Sequence, residues 1–418
     1  MRGLHLLRAA TIALACLACL SCSKQDADPR LQDGTIVISF WNGFTGPDGK
    51  TMEQIVRRFN ETHQGRVRVK MQIIDWGTFY DKVTLGLAFG GAPDVFIIHA
   101  NRVPEYAAHG SLENIDDFAA TVDASDFVAT AWTSGLWEGK RFGLPLDCHP
   151  LGMYYNTDLF RAAGIDKPPT TFDEFLETAR KLKKDRDGDG DVDQWGFAFT
   201  DLHLTSTTFF QQFGGGLLSP DMQRSALNEP QTVAALQRME DLYLKYKICP
   251  TPEGNDGWAG FRVGKVAMAF QGIWMINELD NQKELNYAAA PVPFFGPKKA
   301  VWAGGHVMVM PDRIEGDRRD AAWTFVKYLS DHSIEWAKGG QVPVRKSVLE
   351  SPEFKRLKVQ PQFAKQLPWA TFEPFSTAVN QIAPFADSAV ESVLNGGEDP
   401  KQALETAARR VNNVLRRQ

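Results

Sequence analysis

The chain has 418 residues, 43% of them hydrophobic, with a formal net charge of −5 and acids and bases interspersed along its length. That length exceeds what one core usually organises, so two lobes are expected. No block of Lys/Arg stands out, which excludes nucleic acid as an expected partner.

Residues 1–22 read as an export leader. Arg2 and Arg8 precede an apolar run from Ala9 to Leu20 that is too short to span a membrane comfortably. The segment ends at Cys22 and turns polar at once, so residues 23–34 read as a flexible tether. A cysteine closing such a run resembles the bacterial lipoprotein signal, which implies lipidation at Cys22, a membrane anchor and an extracytoplasmic protein. Cys19, not Leu, stands three residues before Cys22, a departure that leaves plain secretion open. Cys148 and Cys249 are the only cysteines after residue 22. They are either a disulfide, which export permits, or two separately buried thiols.

From Thr35 the pattern alternates between strand and helix. "TIVISF" is a β-branched run, and "KTMEQIVRRFNETH" carries helical spacing through Met52, Ile55, Val56 and Phe59. "RVRVKMQII" has period two, "TFYDKVTLGLAFG" is helical, "APDVFIIH" is a short buried strand and a helix follows over 103–109. Such alternation predicts a mainly parallel sheet flanked by helices, with ligands expected beyond the carboxyl ends of the strands. Trp41 and Asn42, Asp75 and Trp76, and His99 and Asn101 stand at such ends. Trp41 offers a flat platform or packs under its own loop, and Asn101 reaches a ligand or caps the next helix.

The stretch from Leu144 to Tyr155, with Pro145 and Pro150, reads as an extended crossing. Beyond it come "TFDEFLETARKLKKD", capped by Thr171 ahead of Glu174, the strand "WGFAFT" and the helix "QTVAALQRMEDLYLKY". "GKVAMAFQ" is a strand, "NYAAAPVPF" a strand returning to the first lobe, and the last third is helical.

The ordered set "FWNGFTG", "GGAPDVFII", "LPLDCHPLGMYYNTDLFRAAGI", "GKVAMAFQGIWMI", "AWTFVKYLSD" and "VPVRKSVL" resembles the extracellular solute-binding proteins of carbohydrate ABC importers, the maltose-binding group. The resemblance implies an α/β clamp of type II, a monomer with an interlobe cleft that delivers its ligand to the transmembrane subunits of a permease. Lobe boundaries are expected at 35–145 plus 295–332 and at 146–294 plus 333–418. The crossings are expected near Pro145–Tyr155, Ala290–Phe295 and Ser330–Lys338.

A sugar presents an apolar C–H face and a belt of hydroxyls, so aromatics beside fixed polar groups suit it. The resemblance places Trp274 as a stacking residue and Asp147 as a hydroxyl acceptor, a salt bridge at the hinge being the other reading of Asp147. One of Tyr154 and Tyr155 is expected to face the cleft. Trp302, Gly304 and Gly305 mark another edge, and Arg345 reaches ligand or pins the third crossing. sn-Glycerol 3-phosphate and a polyamine remain open as other ligands. Asp75 and Asp147 are the only pair suggesting a glycosidase, and no HExxH, GxSxG or P-loop occurs.

"DRDGDGDVDQWG" places Asp185, Asp187 and Asp189 at alternate positions of an EF-hand-type loop, then Gly190, Asp191 and Asp193. Gly196 stands where the bidentate Glu belongs. Some members of the resembled family bind calcium in such a loop, so structural Ca²⁺ is expected here, a solvated acidic turn being the alternative.

Overall fold

A computed structural model describes Leu31 and residues 33–417, so the leader, Cys22 and most of the tether lie outside the described residues. The first lobe is built on a five-stranded sheet ordered Val67–Ile73, Ile36–Asn42, Val95–His99, His306–Val309, Gly143–Pro145. Its first three strands are parallel and the last two pairings antiparallel. The helix Pro47–Thr62 buries Met52, Ile55, Val56 and Phe59 against it, the stripe its spacing foretells. Trp76–Phe89 covers the other face through Phe79 and Val83.

The second lobe carries the sheet Tyr287–Ala290, Gly152–Asn156, Val266–Gln271, Trp195–Ala198. Two of its three pairings are antiparallel, so this sheet is mixed rather than mainly parallel. Thr171 and Glu174 form the capping box that starts the helix Phe172–Leu182. The helices Val379–Leu394 and Pro400–Leu415 pack on one another and on the second core.

Between the lobes lies a short sheet, Ala370–Thr371, Val301–Gly304 and His149–Pro150. The chain leaves the first lobe at Pro145 and enters the second at Gly152. Tyr287–Ala290 belongs to the second lobe, and Phe295, Val301 and Trp302 still pack in its core. The return therefore falls at residues 301–306, later than expected from residue 295, because the hinge strand itself needs apolar cover. The third crossing also falls later. Ser333–Lys338 packs on Pro47–Thr62, and Ser347 bonds Asp126, so residues beyond 332 still serve the first lobe. Cys148 and Cys249 are separate, buried, free thiols.

Candidate functional site

A cavity of about 770 Å³ opens between the lobes. The first lobe lines it with Phe44, Asp48, Trp76, Tyr80, His99 and Arg102. The hinge contributes His149, Trp302, Gly304, Gly305 and His306. The second lobe adds Trp274 and Glu278, and the last crossing adds Phe372, Glu373 and Phe375.

Each wall is fixed by local chemistry. Asp75 caps the helix at Trp76 by accepting from Gly77 N at 2.9 Å, which aims the indole into the cavity. Gly43 permits that approach, since a Cβ there would sit 2.1 Å from Trp76. Trp274 stands on the turn Ile273–Met275 after the strand Val266–Gln271, and Tyr154 OH donates to Gly272 O beneath it at 3.1 Å. Trp302 is nearly buried, and its Nε1–H has no partner among the described residues.

Asp147 is buried below the cavity floor. Its Oδ1 lies 3.2 Å from His149 Nδ1 and its Oδ2 2.8 Å from His306 Nδ1. It also accepts from His306 N at 2.9 Å and Trp336 Nε1 at 2.7 Å. Burial alone would raise its pKa, but the His306 and His149 contacts hold it well below the usual carboxylate range. Burial pushes His149 down and His99 well down, so both rings favour the neutral form. Tyr80 OH hydrogen-bonds His99 Nδ1.

The charged groups on the walls are mostly spent. Arg102 pairs with Glu105 at 3.0 Å and lies over Tyr80. Glu278 pairs with Arg262, and Glu373 with His203 at 3.3 Å. Burial opposes charge on His203, yet Asp387 and Glu373 outweigh it and raise its pKa to about 10. Asp48 has no ion-pair partner among the described residues, and burial raises its pKa.

Of the residues expected at the site, Trp76, Asn101, Trp274, Trp302, Gly304 and Gly305 share the cavity. Asn101 is held by Glu373, to whose Oε2 its Nδ2 donates at 3.2 Å. Six are elsewhere. Trp41 lies within the strand Ile36–Asn42 and packs half-buried against the sheet's other apolar face, because the strand runs two residues past the apolar run that ends at Phe40. Asn42 is wholly buried and forms the turn into the loop by accepting from Phe44 N at 3.1 Å. Asp75 is the exposed cap just described, and Tyr154 is a buried pillar. Asp147 sits behind its histidines, and neither it nor Asp75 lines the cavity. Arg345 bonds Ser330, Asp126 and Asp331 within the first lobe and does not line the cavity. Tyr155 packs on Phe160.

His99, marked with Asn101 at the end of the third strand, also lines the cavity, while sequence reasoning missed Phe44, Tyr80, His149 and His306. The one available signal was the spacing of Asp147 and His149, which an extended chain puts on one side.

In the acidic loop, carboxylate oxygens of Asp185, Asp187 and Asp193 lie within 4.8 Å of one another. Asp189 and Asp191 do not join them; Asp189 accepts from Asp191 N at 2.8 Å, closing a local turn.

Two lobes joined by three crossings around an aromatic, largely charge-balanced cavity define a hinged ligand-capturing receptor. Residues 44–334 match the family described as bacterial extracellular solute-binding protein, and the chain belongs to that family. It is 25% identical over 322 residues to the maltotriose-binding protein of Pyrococcus abyssi, covering 75% of this chain and 68% of that one. It is 23% identical over 418 aligned positions to the sn-glycerol-3-phosphate-binding periplasmic protein of Escherichia coli, covering 91% and 92%. Among solved structures, an ABC transporter solute-binding protein of Thermotoga lettingae bound to α-D-tagatose superposes with a TM-score of 0.77 at 25% identity, covering 91% and 99%.

Proposed function

We propose that the protein is the receptor of an ABC importer for a sugar or oligosaccharide. It works outside the cytoplasmic membrane, closes on its ligand and hands it to a permease. One observation carries the choice of ligand: indoles from the first lobe, the hinge and the second lobe, Trp76, Trp302 and Trp274, face one cavity beside fixed polar edges. Sugar faces stack on such rings while hydroxyls take the edges.

A phosphate monoester needs cations or helix N-terminal amides. The cavity's one arginine, Arg102, is already engaged by Glu105 and Tyr80, which favours sugar over sn-glycerol 3-phosphate. Two of the three wall carboxylates have their own cations, which argues against a polyamine. The reading is of a binder and not a catalyst, acting as a monomer.

Lipidation at Cys22 would tether the receptor to the membrane; mass spectrometry of the mature N-terminus of detergent-extracted protein decides it. Ca²⁺ bound by Asp185, Asp187 and Asp193 would relieve their mutual repulsion, and the proximity of the three carboxylates supports it.

The test is a thermal-shift panel of maltotriose, D-tagatose, sn-glycerol 3-phosphate and spermidine, each with and without EDTA. A rise in melting temperature with a sugar alone is expected. A rise only with the phosphate or the polyamine overturns the reading, and an EDTA-insensitive melt overturns the calcium assignment.

A further inference from the structure

Three histidines far apart in sequence, His99, His149 and His306, meet at the cavity floor, with ring centroids of His306 4.8 Å from His149 and 5.0 Å from His99. His149 and His306 both turn Nδ1 toward Asp147. An ionised carboxylate only accepts, so both Nδ1 atoms must carry hydrogen. In the neutral ring that leaves Nε2 as a bare lone pair. No group among the described residues bonds either Nε2, although both residues line the cavity.

A metal is the competing explanation for an Asp–His–His cluster whose ligand atoms lie within 4.8 Å. The hydrogen bonds argue against it. Asp147 already accepts from two imidazoles, an indole and a backbone N–H, which leaves no lone pair for an ion. An ion on the two Nδ1 atoms would also have to displace both hydrogens, whereas one on the two Nε2 atoms would leave them in place and is read by the Zn²⁺ measurement below.

His99 has the opposite polarity. Its backbone N–H donates to Tyr80 Oη at 3.2 Å, and the same oxygen bonds His99 Nδ1. With the Tyr80 hydroxyl as the donor of that second bond, the neutral His99 ring carries its hydrogen on Nε2. The indole N–H of Trp302, in the same cavity, is a second donor without a partner.

Resting on the carbohydrate reading, we propose that His149 and His306 are specificity-determining acceptors that bind two ligand hydroxyls through Nε2, with Asp147 as the positioning residue that fixes both rings in the Nδ1–H form. His99 and Trp302 supply the facing donors. A polyol satisfies this mixed set because each hydroxyl both donates and accepts. A ligand edge made only of acceptors, such as a phosphate or carboxylate, would meet two lone pairs and be rejected. The choice between sugar and anion would thus be made by a buried carboxylate that never touches the ligand.

The experiment has two arms on the full mature chain. First, ¹⁵N-histidine NMR at pH 7.5 without ligand reads the tautomers. Nδ1–H signatures for His149 and His306 and an Nε2–H signature for His99 are expected. An Nε2–H or doubly protonated ring at position 149 or 306 overturns the proposal whatever the ligand is. Second, Kd values for maltotriose and D-tagatose are compared in wild type, His149→Gln, His149→Phe and Asp147→Asn. A loss of at least tenfold in His149→Phe, with partial rescue in His149→Gln, is expected for whichever sugar binds. Equal affinity of His149→Phe and wild type overturns the acceptor role. If neither sugar binds while sn-glycerol 3-phosphate does, the carbohydrate reading and the proposal built on it both fall, whereas correct tautomers with an unaffected His149→Phe defeat the proposal alone. Should Asp147→Asn not fold, the tautomer arm still judges its role. Zn²⁺ raising the melting temperature of wild type but not of His149→Phe would also overturn it, by showing a metal site.

Discussion

Replacing Gly304 by alanine should damage ligand binding through one added methyl group. A Cβ at this position would lie 2.5 Å from His149 Nε2 and 2.9 Å from Trp302 Cη2. Ordinary carbon contacts sit near ~3.5–4.0 Å, so the imidazole must retreat by roughly 1 Å. His149 is 3% exposed and its Nδ1 is already 3.2 Å from Asp147, so retreat breaks that bond or tilts the ring into the cavity. Leaving the ligand hydroxyl without its Nε2 acceptor costs about 1–3 kcal/mol, which corresponds to a loss of roughly 5- to 150-fold in affinity. Isothermal titration calorimetry with the sugar that gives the largest thermal shift measures it. Gly216→Ala is the control, because a Cβ there meets nothing within 4 Å. If Gly304→Ala, folded by circular dichroism, binds within about twofold of wild type, the packing of His149 against Gly304 has no part in recognition.

Trp274→Ala should weaken sugar binding by about 5- to 30-fold, the ~1–2 kcal/mol of one stacked face, while Trp41→Phe should leave affinity unchanged because Trp41 does not line the cavity. The same titration separates them. His203 has a raised native pKa, so its contribution is complete below the unfolded value of about 6.5 and fades as pH rises through about 10. With 34% of the side chain exposed, screening reduces that contribution to ~1–2 kcal/mol. His203→Gln should therefore melt lower than wild type at pH 6 and converge with it near pH 10. Parallel melting curves across that range would refute the ion-pair account.

Secondary structure and lobe order were legible because they depend on neighbours in sequence. The period of Met52, Ile55, Val56 and Phe59 specifies which helix face is buried, and Thr171 with Glu174 specifies a helix start. Trp76 was legible as a cavity residue because it follows the end of a strand, and Trp274 because its motif resembles the family's stacking turn. Trp41 misled because a strand's last residue is set by its partners: pairing of Trp41 with Gln72 and Phe96 carries the strand past the loop signal. Likewise, a polar residue reads the same in sequence whether it meets a ligand or another side chain. Asp147 and Arg345 are both polar, and only the folded chain shows that their partners are His306, Trp336, Asp126 and Asp331.

By itself, then, the sequence determined the alternation of strands and helices and the aromatic character of the mouth, since periodicity, capping and composition are local properties, while the two-lobed clamp was implied by the resemblance of its ordered motifs to a known family. Only the tertiary structure decided what forms the floor. His99, His149 and His306 come from two strands of the first sheet and one of the hinge, and their meeting over Asp147 depends on register between segments up to 207 residues apart. No local rule encodes that distance, because the free energy that brings them together belongs to the packing of both cores.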